Sequence, residues 1–196
     1  MRVFVAGGTG VIGRRMVPQL VGRGHQVTAT TTDPGKLGLL EQMGADAVVM
    51  DGLDAVSVGE AVAKARPDTI VHQMTALGGK PDMKHFDRWG AITIRLRTEG
   101  TDHLLAAAEA TGVSNFVAQS YAGWNGIRQG GWVKTEEDPL DLMPGTAAHA
   151  VMEAIRHVED VVAKAGGVAL RYGWLYEPGA TSLDELVELM RKRQFP

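Results

Sequence analysis

Residues 3–13 read VFVAGGTGVIG, an apolar run from Val3 to Ala6 that passes directly into glycines at positions 7, 8, 10 and 13. A short apolar run closed by glycine reads as a buried strand. The next stretch has a different period: Val11, Ile12, Met16, Val17, Leu20 and Val21 fall on one face of a helix. A strand, a tight glycine turn and a helix N-terminus together form a seat for phosphate. The first N–H groups of a helix have no partner inside it and point at whatever lies ahead. In this reading Gly7 turns the backbone out of the strand and Gly10 lets a pyrophosphate approach, while Gly13 lets the helix lie close on the sheet. In a chain with 25 glycines such a spacing is weak by itself. The strand before it, the helix after it and a second strand, QVTATT at 26–31, carry the assignment. Pro18, inside the first helix, removes one hydrogen bond and is expected to bend the axis.

Working outward, further strands are predicted at Ala47–Met50, Thr69–Gln73, Asn115–Gln119 and Val168–Arg171. Stretches of helical period separate them; in one, Leu104, Leu105 and Ala108 share a face. Strands alternating with helices imply crossover connections and a parallel sheet covered on both sides. The fold class is α/β, a doubly wound parallel sheet of the Rossmann type. Tyr121 to Gly145 has no clear period and reads as a long loop, in which Trp124 and Trp132 either line a pocket or only anchor the loop. The last segment, SLDELVELMRKR, opens on a capping-box pattern of Ser182 with Glu185 and predicts one more helix.

The composition excludes several classes. The chain has 196 residues, 44% of them apolar, a net charge of −3 and no cysteine. A disulfide framework and a thiolate metal site are therefore excluded, and the charge opposes a nucleic-acid surface. No apolar run is long enough to span a bilayer, and no signal-peptide pattern opens the chain. His72, His85, His103 and His157 have no metal-ligand spacing with carboxylates. The expectation is a cytoplasmic protein with a small-molecule substrate, no metal, no membrane, no nucleic-acid partner, and a homodimer as its assembly.

Several segments in order resemble one family. The spacing of GGTGVIG is similar to that of the short-chain dehydrogenase/reductase superfamily, especially its extended members, the NAD-dependent epimerase/dehydratase family. GHQVTATT resembles the family's second strand, and Asp51 and Gly52 in VVMDGLD resemble its adenine-contacting segment. PDTIVHQMTA resembles the fourth strand, with Gln73, Met74 and Thr75 on the nicotinamide side. EGTDHLLAAAEATGVSNFV and VALRYGWLYEPG match two further family stretches. The resemblance implies an NAD(P)-binding domain over 1–175. It makes 176–196 the start of a substrate-binding lobe that is truncated or missing. Cofactor contacts are expected from Gly7, Thr9, Gly10, Val11, Ile12, Gly13, Thr31, Thr32, Asp51, Gly52, Gln73, Met74 and Thr75.

The choice of dinucleotide turns on the end of the second strand. NAD-preferring members carry an acid there for the ribose hydroxyls, and the register puts Thr31 in its place. Thr32 and Lys36 can donate to a 2′-phosphate, and Arg14 can add charge, which favours NADP. Asp33 is the competing reading: it serves as the ribose acid if the register slips by two, or else it caps the turn ahead of Pro34.

The resemblance also implies a catalytic Tyr with a Lys four residues on, and here the chain departs. The helix expected over Gly145 to Ala165 has no tyrosine, and its one lysine, Lys164, lies near the far end. With Glu153 at the family's helix Glu, the Tyr and Lys places fall on Gly145 and His149. With Glu159 there, they fall on Val151 and Ile155. His149 is either a substitute proton carrier or a surface residue. Ser120 and Tyr121 stand where the family carries its Ser/Thr cluster. Tyr121 is either the proton donor at the strand's end or an aromatic that closes the pocket. Arg97, where the family has Asn, either meets an anion or is a salt-bridged residue of the helix surface.

Two functions follow. One is an NAD(P)-dependent oxidoreductase or epimerase that moves hydride to or from a carbonyl or alcohol. The other is a dinucleotide-binding regulatory protein, similar to NmrA-like redox sensors, that has lost the Tyr–Lys pair.

Overall fold

The computed structural model describes residues 1–77, 86–122, 133–146, 148–173, 175, 187–188 and 190–192, with the backbone alone for 86–89. Strands β1 (Arg2–Ala6), β2 (Gln26–Thr31), β3 (Asp46–Val49), β4 (Thr69–His72), β5 (Asn115–Tyr121) and β6 (Val168–Tyr172) form one sheet. Its order is β3-β2-β1-β4-β5-β6 and every pairing is parallel. Parallel neighbours require crossovers, and six helices supply them: α1 (Val11–Gly22), α2 (Leu37–Gln42), α3 (Ala55–Ala65), α4 (Phe86–Arg97), α5 (Glu99–Thr111) and α6 (His149–Lys164). The doubly wound Rossmann expectation holds. The strand order reverses between β1 and β4, and the crevice beyond the strand ends at that point is where such sheets bind ligands.

Alternation along the strands divides the core in two. Val3, Val5, Val27, Ala29 and Val71 pack against Val17 of α1 and Leu40 of α2. Phe4, Ala6, Ile70, Phe116 and Ala118 face the other way, onto Val62 of α3, Leu104 of α5, and Val158 and Val162 of α6. Burying each Val, Leu, Ile or Phe side chain among them is worth about 1.5–3 kcal/mol, so these two layers fix the sheet between its helices. Helix α1 runs unbroken across Pro18. Asp54 caps α3 by accepting from Val56 N and Ser57 N, and Gly112, at φ +72°, closes α5.

Most strand limits match the reading from sequence to within a residue. β5 is the exception, running on to Tyr121 because β6 pairs with it as far as Tyr121 opposite Tyr172. The capping pair Ser182 and Glu185 and both loop tryptophans, Trp124 and Trp132, lie outside the described residues. No helix among the described residues is long and apolar enough to cross a membrane, and those residues hold no cluster fit for a metal ion.

Candidate functional site

At the turn after β1, Gly7 takes φ +94°, a conformation only glycine adopts without strain. A Cβ there would also stand 2.9 Å from the carbonyl carbon of Gln73, so this turn lies directly against the end of β4. Gly13 has a sharper constraint than closeness to the sheet. Its Cβ would sit 2.4 Å from the Gly8 carbonyl oxygen and 2.6 Å from that of Gly7, so α1 presses on the turn itself. Gly10 is the N-cap of α1 and no side chain caps the helix. The first-turn N–H groups, those of Val11 and Ile12 among them, therefore face outward as a helix N-terminus suited to a pyrophosphate.

The neighbouring polar side chains are already engaged. Gly7 N donates to Thr30 Oγ1 (3.1 Å) and Gly8 N to the Thr30 carbonyl (2.9 Å). Thr9 Oγ1 lies 3.4 Å from Thr31 Oγ1, which also accepts from Asp33 N at 3.2 Å. Asp33 accepts from Gly35 N (2.9 Å) and pairs with Lys36 at 3.6 Å, so its carboxylate caps the turn before Pro34. Thr31 is buried, while Thr32 and Lys36 are exposed at the rim. Asp51 is exposed and accepts from Leu53 N at 2.9 Å. Gly52 is buried; its carbonyl lies 3.2 Å from His103 Nδ1, and a Cβ on it would strike the Met74 sulfur.

Beyond the ends of β4 and β5 the surroundings change. His72 is buried at the end of β4. Met74 N donates to its Nδ1 (3.2 Å), which leaves the ring proton on Nε2, 3.0 Å from Thr101 Oγ1. The Thr101 hydroxyl donates in turn to the Arg97 carbonyl at 2.6 Å. Burial, joined by the Arg97 charge, pushes the His72 pKa down to about 4, so the ring is neutral. Met74 itself is a core residue packed among Gly52 and Leu96, so its side chain belongs to the core rather than the cleft. Thr75 is half-buried, and the next residue, Ala76, donates its N–H to Thr93 Oγ1 at 3.0 Å. Gln73 is 6% exposed: its Nε2 donates to Tyr172 Oη at 3.4 Å, and its Oε1 has no donor.

Ser120 and Tyr121 face opposite sides of the sheet. Ser120 follows Phe116 and Ala118 onto the α6 side and donates to Glu159 Oε1 at 2.5 Å. Arg171 clamps the same carboxylate with two bonds of 2.8 Å. This hydroxyl is committed to an internal network. Tyr121 is half-buried; desolvation raises its pKa and the Arg97 charge pulls the other way, with a net rise that keeps the phenol protonated. His149 opens α6, and its Nδ1 donates to the Leu142 carbonyl at 2.7 Å, a bond that leaves Nε2 unengaged. Ile155 is wholly buried in α6, which begins at His149 rather than at Gly145; Gly145 lies in the turn before it.

Arg97 departs from the helix-surface alternative. It is 6% exposed and forms no ion pair among the described residues. Arg95, two positions earlier, takes the surface role, with two 2.8 Å bonds to Glu99. The sequence held the signal for this: Thr93, Arg97, Thr101, Leu104 and Ala108, at helical spacing, are all buried.

A family model described as NAD(P)H-binding matches residues 7–191. Over 182 residues the chain is 43% identical to a 3-diazoavenalumate denitrifying reductase of a Streptomyces species, covering 91% of this chain and 58% of that protein. Among solved structures, the Bordetella bronchiseptica enzyme WbmH in complex with NAD+ superposes with a TM-score of 0.72 at 19% identity, over 98% of this chain and 63% of that one. UDP-glucose 4-epimerase of Thermus thermophilus, in complex with NAD, gives 0.68 at 26% identity, over 91% and 57%. The chain thus spans under two thirds of the length of each of these three proteins.

Proposed function

The chain belongs to the NAD(P)H-binding family, in the fold of the NAD-dependent epimerase/dehydratase enzymes, and we propose that it is the cofactor-binding part of an NADPH-dependent reductase. The bound dinucleotide supplies hydride. The single observation that carries this reading is the uncapped N-terminus of α1 behind the Gly7 turn, set directly against Gln73 at the end of β4. Gly7, Thr9, Gly10, Val11, Ile12 and Gly13 would hold the pyrophosphate. Thr31, Thr32, Asp51 and Gly52 would line the adenosine end, and Gln73 to Thr75 the nicotinamide end. NADPH is favoured because Thr31 carries no charge and Asp33 is occupied by Gly35 N and Lys36.

On the substrate side Tyr121 is the proposed acid. Its phenol holds its proton at neutral pH and stands at the C-terminal end of β5. Reducing a carbonyl places hydride on carbon and a proton on oxygen, and the phenol supplies that proton. Ser120 acts at a distance, as a positioning residue that keeps Glu159 and Arg171 beneath β5 and β6. His149 Nε2 is the second group able to carry a proton. A second reading of the reacting group rests on the relative named for denitrifying 3-diazoavenalumate. When hydride replaces a departing N2 on a diazonium carbon, no proton is consumed. The absence of the Tyr–Lys pair from α6 would then carry no penalty.

The test is oxidation of NADPH and NADH by the full-length protein against carbonyl substrates and an aryl diazonium salt, with Tyr121→Phe beside the wild type. For a carbonyl substrate the loss of the acid should lower kcat by about 100- to 10,000-fold. With the diazonium salt most of the rate should survive. Discrimination between NADP and NADPH with no turnover on any substrate would replace the enzyme by the sensor.

A further inference from the structure

We propose that Arg97 is the recognition residue for a carboxylate on the substrate of this reductase, an inference that rests on the reading above. Among the described residues, the guanidinium groups of Arg2, Arg95, Arg156, Arg171 and Arg191 each pair with a carboxylate. Arg95 is exposed and held by Glu99, and Arg171 is held by Glu159. Arg97 is 6% exposed, and no described carboxylate or hydrogen-bond acceptor reaches its guanidinium. Removing a charge from water without a partner costs several kcal/mol, so a fold that buries such a group with no partner among its described residues is poised for a counter-charge from outside.

Its position narrows what that counter-charge is. Arg97 is the last residue of α4, tied through its own carbonyl to Thr101 and so to His72 at the end of β4. From the other side of the sheet its charge is felt at the Tyr121 phenol, at the end of β5. The β4–β5 half is the substrate side of a doubly wound sheet, whereas the helix N-terminus that suits a pyrophosphate follows β1. The nicotinamide end of the cofactor carries no negative group. An anion at Arg97 therefore belongs to the substrate.

A further observation agrees: His72, beside it, is held neutral and adds no competing charge. A planar guanidinium with parallel N–H groups matches a carboxylate through two bonds, which gives orientation as well as affinity. Held at Arg97, the substrate's charged end is fixed and its reacting end is turned toward Tyr121 and the cofactor.

The test uses the full-length protein saturated with NADP and two probes of equal shape, benzoate and benzamide, titrated by calorimetry. Benzoate should bind and benzamide should bind at least about ten-fold more weakly. Arg97→Gln should weaken benzoate by about 10- to 100-fold while leaving the NADP dissociation constant within two-fold. Arg97→Lys keeps the charge without the fork and should fall between, which preserves the test if the Gln variant folds poorly. With a turned-over carboxylate substrate the loss should appear in KM rather than in kcat. Three results overturn the proposal: equal binding of benzoate and benzamide, weakened NADP with benzoate unchanged, or a kcat loss with KM unchanged. Failure of the reductase reading is a separate result, in which NADPH is not oxidised while benzoate still binds through Arg97.

Discussion

Around the turn after β1, Thr30 holds the N–H groups of Gly7 and Gly8, Thr31 meets Thr9, and Asp33 closes on Gly35 and Lys36. Across the sheet, at the ends of β4 and β5, the Gln73 amide oxygen lacks a donor, and the Arg97 guanidinium lacks an acceptor among the described residues. The first region has satisfied its side chains before any ligand arrives, and it offers backbone shape and a helix N-terminus. The second keeps the Gln73 oxygen buried and unmet and the Arg97 charge largely withdrawn from water, at a cost in stability. Shape suits a ligand part that never changes, such as a pyrophosphate. Unmet charge suits the part that gives a protein its own specificity.

The largest effect should come from the second region, through His72. Its pKa is about 4 in the folded chain against an ordinary 6.5. Above pH 6.5 both folded and unfolded chains hold a neutral ring, and the full stability is present. As pH falls from 6.5 toward 4 only the unfolded chain takes up the proton, so stability drops by about 3 kcal/mol and then levels off. Urea unfolding between pH 7.5 and 4 should show this slope, and His72→Gln should flatten it. An unchanged slope in the variant would mean that other groups produce it.

Gly13→Ala strikes the first region. Alanine gains about 1 kcal/mol of helix propensity over glycine, but its Cβ would overlap the Gly8 and Gly7 carbonyl oxygens. Overpacking of that kind costs about 1–3 kcal/mol, and the overlap lies where the pyrophosphate would bind. NADPH affinity should fall at least about ten-fold, with a lower melting temperature. Intact affinity would show that the turn is not set by this contact.

Glu159→Gln comes next and probes the support beneath the second region. Burial alone would raise the Glu159 pKa, but the bonds from Arg171 and Ser120, with the Arg171 charge, outweigh it and leave the value lowered. A carboxyl lowered in the folded chain lends stability above the ordinary carboxylate range and loses it as pH falls through the folded value. The pair is mostly buried, at 24% and 16% side-chain exposure, so the variant should lose about 1–2 kcal/mol at pH 7. Thermal melts at pH 7 and pH 3 should show the gap between wild type and variant narrowing in acid.

How much of this was legible in the sequence follows the same division. The first region is local: strand, turn and helix lie within residues 2–22, and the period changes where the structure changes. The parallel, doubly wound sheet followed from the alternation of strands and helices, and the matched segments named the family. The second region is assembled from β4, α4, α5, β5 and β6, and its contacts are long-range. Ser120 meets Glu159 and Gln73 meets Tyr172 across stretches of chain that no local period spans. Part of it could still have been read. Period two puts Ser120 on the face of Phe116 and Ala118 and Tyr121 on the other, which separates a network residue from a cleft residue.

The smallest effect is the most telling control, because Arg95 and Arg97 differ by two positions on one helix. Two residues along a helix is about 200°, so the side chains leave on nearly opposite faces. Arg95 lies over Glu99 in water, and such exposed pairs one turn apart contribute little. Arg95→Ala should shift the melting temperature by about a degree and leave NADPH and carboxylate binding unchanged. Arg97→Leu should do the reverse, losing carboxylate binding while holding or raising the melting temperature, since a buried charge with no partner is exchanged for an apolar side chain. Measured side by side, the two variants separate a charge kept for solubility from one kept for a ligand. A melting temperature that falls by several degrees in Arg97→Leu would mean that the guanidinium holds the fold together, and the contrast between the two halves of the sheet would lose its strongest term.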